Sequence, residues 1–258
     1  FHYSKIPVPL PPLLEQKRIV SLLDECFTSI DKAIANAEQN LKNAKELFES
    51  YLRNVFEKKN DWEVKKLGDV GKVSMCKRIF KDQTTLTGDI PFYKIGTFGK
   101  TPDAYITKEI YNEYRNKFSF PKTGDILLSA SGTIGRRVRY NGEPAYFQDS
   151  NIVWIDNDEK NVINDYLYYF YGACRWNTTT GATISRLYND NLKQIEIAYP
   201  KSITEQKSIV NQLDTLSTNT KKLEQNYQSK KANLEELKKS ILQKAFAGEL
   251  VTEKLAAI

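Results

Sequence analysis

The chain has 258 residues, 40% of them hydrophobic and 27% charged, with a net charge of +6. That hydrophobic content excludes wholesale disorder, and no apolar run approaches the roughly 20 residues of a membrane span, so a cytoplasmic protein with no membrane partner is expected. Three cysteines without paired spacing and one histidine, His2, argue against a disulfide framework, a zinc site and histidine acid–base chemistry.

Residues 1–12 contain the proline-rich run from Lys5 to Pro12. A matching segment, Gln194 to Pro200, precedes a later helix, so residues 1–12 are expected to be a leading strand or the end of a preceding domain. Residues 13–60 read as a first long helix, 61–199 as a globular domain, 200–248 as a second long helix and 249–258 as a tail.

The two helices are copies of one unit. With a shift of 190, Glu205-Gln206-Lys207 falls on Glu15-Gln16-Lys17, and 16 of 42 aligned positions are identical without a gap. A repeat so widely spaced argues for one architectural element used twice, not for a stacked solenoid.

Each copy carries an apolar stripe at alternating steps of three and four, the pattern that buries against a partner helix. In the first it includes Ile19, Leu23, Ile30 and Leu47; in the second, Ile209, Leu213, Leu216, Leu223, Leu234, Leu237 and Ile241. A helix of this length spans roughly 60 Å, which suits a spacer. Ser202 ahead of Glu205 forms a capping box, and Gly248 is a natural stop.

Between them, short apolar runs separated by Gly, Pro, Asn and Asp read as strands: Trp62 to Leu67, Ile90 to Ile95, Ile126 to Ser129, Arg137 to Tyr140, Ile152 to Ile155 and Ile195 to Tyr199. Asn141-Gly142 signals a hairpin between Val138–Tyr140 and Pro144–Phe147. Asn164 to Ala173 is the one clear helix of this stretch. The expectation is an α+β domain with a twisted, mostly antiparallel sheet, flanked by two long helices in an antiparallel coiled coil.

No phosphate-binding loop, nucleophile elbow, dinucleotide fingerprint or Asn/Asp-Pro-Pro-Tyr/Phe methyltransferase loop is present, so the chain is expected to be non-catalytic and to hold no cofactor. Its loops suit a polyanion better. Lys77, Arg78 and Lys81 cluster near the start of the domain, and Lys94 follows an apolar run. The segment Ser129 to Arg139 sets Ser129, Ser131, Thr133 and two glycines ahead of Arg136, Arg137 and Arg139. A second polar loop holds Asn177, Thr178, Thr179, Thr180 and Arg186. Arginines take phosphate or guanine bidentately, and hydroxyls bond either. Read alone, the first loop is as readily a tight turn followed by a strand with an exposed basic face, and the second a solvated loop.

The order Trp62-x4-Leu67-Gly68-Asp69-Val70, Ile90-Pro-Phe-Tyr-Lys-Ile-Gly96, Gly124-Asp-Ile-Leu-Leu-Ser129 with Ser131-Gly-Thr-Ile-Gly135, and then a strand running through Pro200 into Glu205-Gln206-Lys207, resembles the specificity subunit (HsdS) of type I restriction-modification systems. The resemblance covers nearly the whole chain: the end of one target-recognition domain, a conserved helix, a complete recognition domain and a second conserved helix. It implies double-stranded DNA as a partner, read as one half of a bipartite target. It further implies docking of methyltransferase subunits, which carry S-adenosylmethionine, and indirect association with the restriction subunit. A full subunit has two recognition domains and this chain has one, so it corresponds to a fragment or a half-subunit; a half-subunit pairing with its own copy would read an inverted repeat. Two other readings stand beside it: the specificity module of a fused restriction-methyltransferase, and a coiled-coil adaptor whose globular domain binds protein.

Overall fold

A computed structural model describes residues 10–57, 59–174, 176 and 187–250. In chain order the elements are α1 (Leu13–Val55), β1 (Glu63–Lys66), α2 (Leu67–Val70), β2 (Gly71–Ser74), a 3-10 turn (Lys81–Gln83), β3 (Ile90–Tyr93), β4 (Tyr105–Ile106), α3 (Lys108–Lys117), β5 (Ile126–Ser129), β6 (Arg137–Arg139), β7 (Tyr146–Phe147), β8 (Ile152–Asn157), α4 (Asn164–Ala173), α5 (Asn189–Gln194), β9 (Glu196–Tyr199) and α6 (Ile203–Phe246). They form two compact units, Glu49–Thr215 and the residues on either side of it. Among the described residues no helix is long and apolar enough to cross a membrane.

In the central unit β1 pairs antiparallel with β9, so the strand after α1 lies beside the strand before α6. A four-stranded antiparallel sheet has the order β2-β8-β5-β6, and a three-stranded sheet the order β4-β3-β7. Only β3–β7 is parallel among the described pairs. The core between them is aromatic: Phe92, Phe98, Tyr111, Tyr140, Tyr146, Phe147 and Trp154 are all buried. A second apolar layer joins Phe56 and Trp62 edge-on to Tyr166 of α4.

Two features depart from the sequence pattern. Asn141-Gly142 does make a turn, with Gly142 at φ 90°, but no hairpin: β6 pairs with β5 while β7 pairs with β3. Tyr146 and Phe147 are fully buried, and burial on the β3 sheet outweighs a two-residue turn signal. Helix α3 is a second clear helix of this domain. Its polar sequence hides it, but Thr107 accepts the Ile110 amide as a cap and Tyr111 anchors its inner face.

Gln206, in the first turn of α6, is fully buried. Its Oε1 accepts the Ile163 amide at 3.0 Å, and its Nε2 donates to Asn161 O at 2.7 Å and Pro200 O at 2.8 Å. Ser202 caps the same turn through the Glu205 amide at 3.3 Å, and Gly248, at φ 75°, ends the helix.

In the other unit the helices run antiparallel. Lys231 Nζ meets Glu38 at 2.6 Å and Lys238 Nζ meets Asp31 at 2.7 Å, one register along both helices. Lys238 also lies 5.1 Å from the Phe27 ring centroid. Ile30, Ala37 and Thr220 are buried; Ile19, Leu23, Leu216, Leu234 and Ile241 are half-buried. Within the central unit, Leu213 is fully buried and Ile209 half-buried. Leu47, Leu223 and Leu237 lie outside the seam, with 67%, 45% and 47% of their surface exposed. Ile30, Ile34, Ala37, Leu41, Ala44 and Phe48 instead face inward: two successive steps of four, Cys26 to Ile30 to Ile34, shift the stripe by one residue, and the alternation of three and four then continues out of phase with Leu47. On α6 the same phase brings the stems of Lys231 and Lys238 into the seam.

Gln206→Leu preserves volume but strands three backbone groups, two of them in buried hydrogen bonds. It is expected to lower stability by about 2–4 kcal/mol, read as a lower midpoint in urea. Gln16→Leu, which removes one bond of a half-buried side chain to Pro11 O, should cost about 1 kcal/mol.

Candidate nucleic-acid interface

Short β-strands leave their connections at the sheet ends, and four of these loops interlock on one rim. The loop between β7 and β8, Gln148 to Asn151, is the centre. Gln148 donates its amide to Tyr93 O and accepts the Ile95 amide at 2.9 Å, fixing the loop after β3. Asn151 O accepts the Ala130 amide at 2.7 Å, fixing the loop after β5. Asp149 takes the Arg78 guanidinium, fixing the segment after β2. Ser150 holds φ 58°, a left-handed conformation that costs energy and occurs preferentially at binding sites.

The segment after β2 presents Lys77, Arg78, Phe80 and Lys81 to solvent. It is anchored beneath by buried Cys76, by Tyr146 Oη donating to Lys77 O at 3.0 Å, and by the Phe80 amide donating to Gln83 Oε1. Lys77 Nζ lies over the Phe118 ring. Beside it runs a cleft of about 550 Å³, lined by Phe80, Lys81, Thr84, Leu86, Lys94 and Gln148. Phe80 and Leu86 stand 59% and 86% exposed at its edge. Lys94 is held by Asp103 at 2.8 Å. Burial pushes the Cys76 and Cys174 thiols up to about 12, so both stay protonated at neutral pH.

The residues from Ser129 to Arg139 separate into different roles. Ser129 is buried; its hydroxyl donates to Thr133 O at 2.6 Å and accepts the Arg136 amide at 2.9 Å, so it brackets the loop and has nothing left for DNA. Ser131 is also buried, whereas Thr133 is exposed. Gly135, at φ 86°, is needed because a Cβ there would lie 2.2 Å from Trp176 Nε1.

The three arginines are engaged within the domain. Arg136 Nη1 donates to Phe98 O at 2.9 Å. Arg137 lies 4.6 Å from the Tyr168 ring centroid and occupies the space a Cβ at Gly172 would need. Arg139 pairs with Asp165 at 2.7 Å and approaches the same tyrosine ring. Arg136 and Arg137 therefore do not form an exposed basic strand: β6 lies under α4, the Phe98 carbonyl holds Arg136, and the Tyr168 ring draws the Arg137 cation inward. Asn177, Thr178, Thr179, Thr180 and Arg186 lie outside the described residues.

Sequence reading overlooked Gln148, Asp149, Phe80 and Leu86. The polar run Gln148-Asp-Ser-Asn151 between two apolar strands was a usable loop signal; its pairing with a segment 71 residues earlier was not.

The model of the type I restriction modification DNA specificity domain matches residues 59–235. A Haemophilus influenzae protein assigned as the type I restriction enzyme specificity subunit S.HindORF215P is 51% identical over 84% of this chain and 57% of its own length. The StySPI specificity subunit of Salmonella potsdam is 24% identical over 97% of this chain and 59% of its own. The chain thus spans less than two thirds of these relatives. Its fold is shared with a chain from a structure of a type I R-M system, at a TM-score of 0.77 and 22% identity over 94% of this chain and 62% of that one. The HsdS subunit of Thermoanaerobacter tengcongensis superposes at 0.58 with 21% identity, over 94% and 61%. With its family model matched across more than half its length, the chain belongs to the type I restriction modification DNA specificity family.

Proposed function

We propose that the central domain reads one half of a split double-stranded DNA target, that the helix pair docks methyltransferase subunits, and that the chain performs no chemistry itself. The observation that carries this reading is the interlocked rim. Lys77, Arg78, Lys81 and Thr133 are exposed on it, beside a cleft with apolar edges, in a chain whose family is defined by DNA specificity. Phosphate contacts from lysines position a reader, and fixed donors on rigid loops select bases. The cofactor S-adenosylmethionine and the adenine chemistry belong to the methyltransferase in this scheme, and the restriction subunit joins through it.

The helix pair supports the docking half of the proposal. Its register, with residue 31 facing 238 and 38 facing 231, sets Leu47 level with Lys222, so Leu47 and Leu223 lie at one height along the pair. These exposed leucines, with Leu237, leave apolar surface on the pair that its own seam does not cover.

Mapping adenine methylation in cells that express the chain with its cognate methyltransferase subunit is expected to yield a gapped motif. A palindromic motif means two copies of this chain supply the readers; an asymmetric one means a second, different recognition domain; no motif favours the protein-binding adaptor. Lys81→Ala is expected to weaken binding to all duplexes alike and to lower the slope of log affinity against log salt by about 1, measured by fluorescence anisotropy. Leu47→Glu with Leu223→Glu should abolish co-purification of the methyltransferase subunit while leaving the thermal midpoint of the chain in place.

A further inference from the structure

Arg78 is exposed and fixed at once, and more exposed than Arg139, whose side chain is 44% exposed beside Asp165. The Arg78 side chain is 59% exposed, while Asp149, which holds it, is 15% exposed. Arg78 Nε donates to Asp149 Oδ2 at 2.9 Å, and Nη2 lies 2.9 Å from the same oxygen. The same oxygen accepts the Ser150 hydroxyl at 3.2 Å, and that hydroxyl also reaches Met75 Sδ. The carboxylate is therefore tied into the central loop of the rim, and one edge of the guanidinium is tied to the carboxylate. The pair raises the affinity of Arg78 for its proton, chiefly through this hydrogen bond.

A guanidinium has five N–H donors in a planar fork. With the Nε edge of the fork turned to Asp149, the Nη1–H and Nη2–H of its other edge form a parallel pair. That pair matches the O6 and N7 acceptors of guanine in the major groove. Charge separates this use from a phosphate contact. A phosphate clamp draws its affinity from an uncompensated cation, and a carboxylate at 2.9 Å cancels most of that field and repels a phosphate approaching nearby. Hydrogen-bond donors aimed at neutral base acceptors keep their strength. Lys77 and Lys81, exposed on the same segment, suit phosphate; the neutralised, oriented fork of Arg78 suits a base.

From this geometry we propose that Arg78 is a guanine-reading residue of the half-target and that Asp149 is its positioning residue. The proposal rests on the DNA-recognition reading above.

The test uses the chain with its methyltransferase subunit and duplexes carrying the methylation-mapped motif, with 7-deazaguanine, which lacks the N7 acceptor, replacing each guanine in turn. The wild type is expected to lose about 10- to 100-fold in affinity at one guanine position. Arg78→Ala and Arg78→Lys are expected to lose a similar factor on the unmodified duplex and nothing further on that substituted one, a coupling that a structural role would not produce. Arg78→Lys keeps the charge and can keep the ion pair, so it covers the case in which the alanine variant fails to fold. Asp149→Asn should raise affinity for random duplex while lowering discrimination at the same guanine.

The proposal is overturned by a half-target without a G·C pair, by a wild type insensitive at every guanine, or by losses in the Arg78 variants that are equal on cognate and random DNA. A wild-type complex that prefers no duplex over any other sinks the DNA-recognition reading itself, which a specific complex without the coupling does not.

Discussion

The structure turns on the junction where the central domain meets the first turn of α6. One amide side chain, Gln206, satisfies two carbonyls and one backbone N–H in a fully buried setting. Unmade hydrogen bonds in such a setting cost more than made ones contribute, so the clamp selects one arrangement over near alternatives. Beside it, β1 and β9 pair antiparallel, bringing the end of α1 and the start of α6 to the same edge of the domain. Tyr169 of α4 adds a hydrogen bond to Asp214 on the same stretch of α6. The domain is thus a closed insertion whose entry and exit strands are neighbours, a topology that lets a helix-strand-domain-strand-helix unit be used more than once.

Much of this was legible because it obeys local rules. The repeat of Glu-Gln-Lys at positions 15 and 205 shows in the sequence alone, and the two long helices follow from capping and period. Buried strands such as Ile126–Ser129 and Ile152–Asn157 are continuous apolar runs. What escaped depends on partners distant in sequence. The inward turn of Arg137 depends on Tyr168 and Gly172 of α4, and nothing near Arg137 announces it. The phase of the helix seam depends on one extra residue in the step from Ile30 to Ile34, which shifts the stripe and leaves Leu47 at the surface. Ser129 looked like a phosphate donor because its neighbours are small and polar, but the corner between β5 and β6 consumes its hydroxyl.

The electrostatics of the domain favour selectivity over mere adhesion. A net charge of +6 over 258 residues is a modest field, and much of the exposed positive charge is compensated at short range. Arg78 pairs with Asp149, Lys94 with Asp103, Lys122 with Asp156 and Arg139 with Asp165, each between 2.7 and 2.9 Å. Such surface pairs contribute little to stability in water, on the order of 0–1 kcal/mol, so stability does not account for their number around the domain. Their effect on binding is larger. An unpaired cation attracts every phosphate of every duplex, and affinity for random DNA competes with the target by sheer number of sites. A cation with its own carboxylate offers oriented donors with little long-range pull, so it stabilises contact only where acceptors stand in the right places. In the proposed reading, Lys77 and Lys81, which have no ion pair among the described residues, set how long the rim stays on DNA, and Arg78 with its carboxylate sets where.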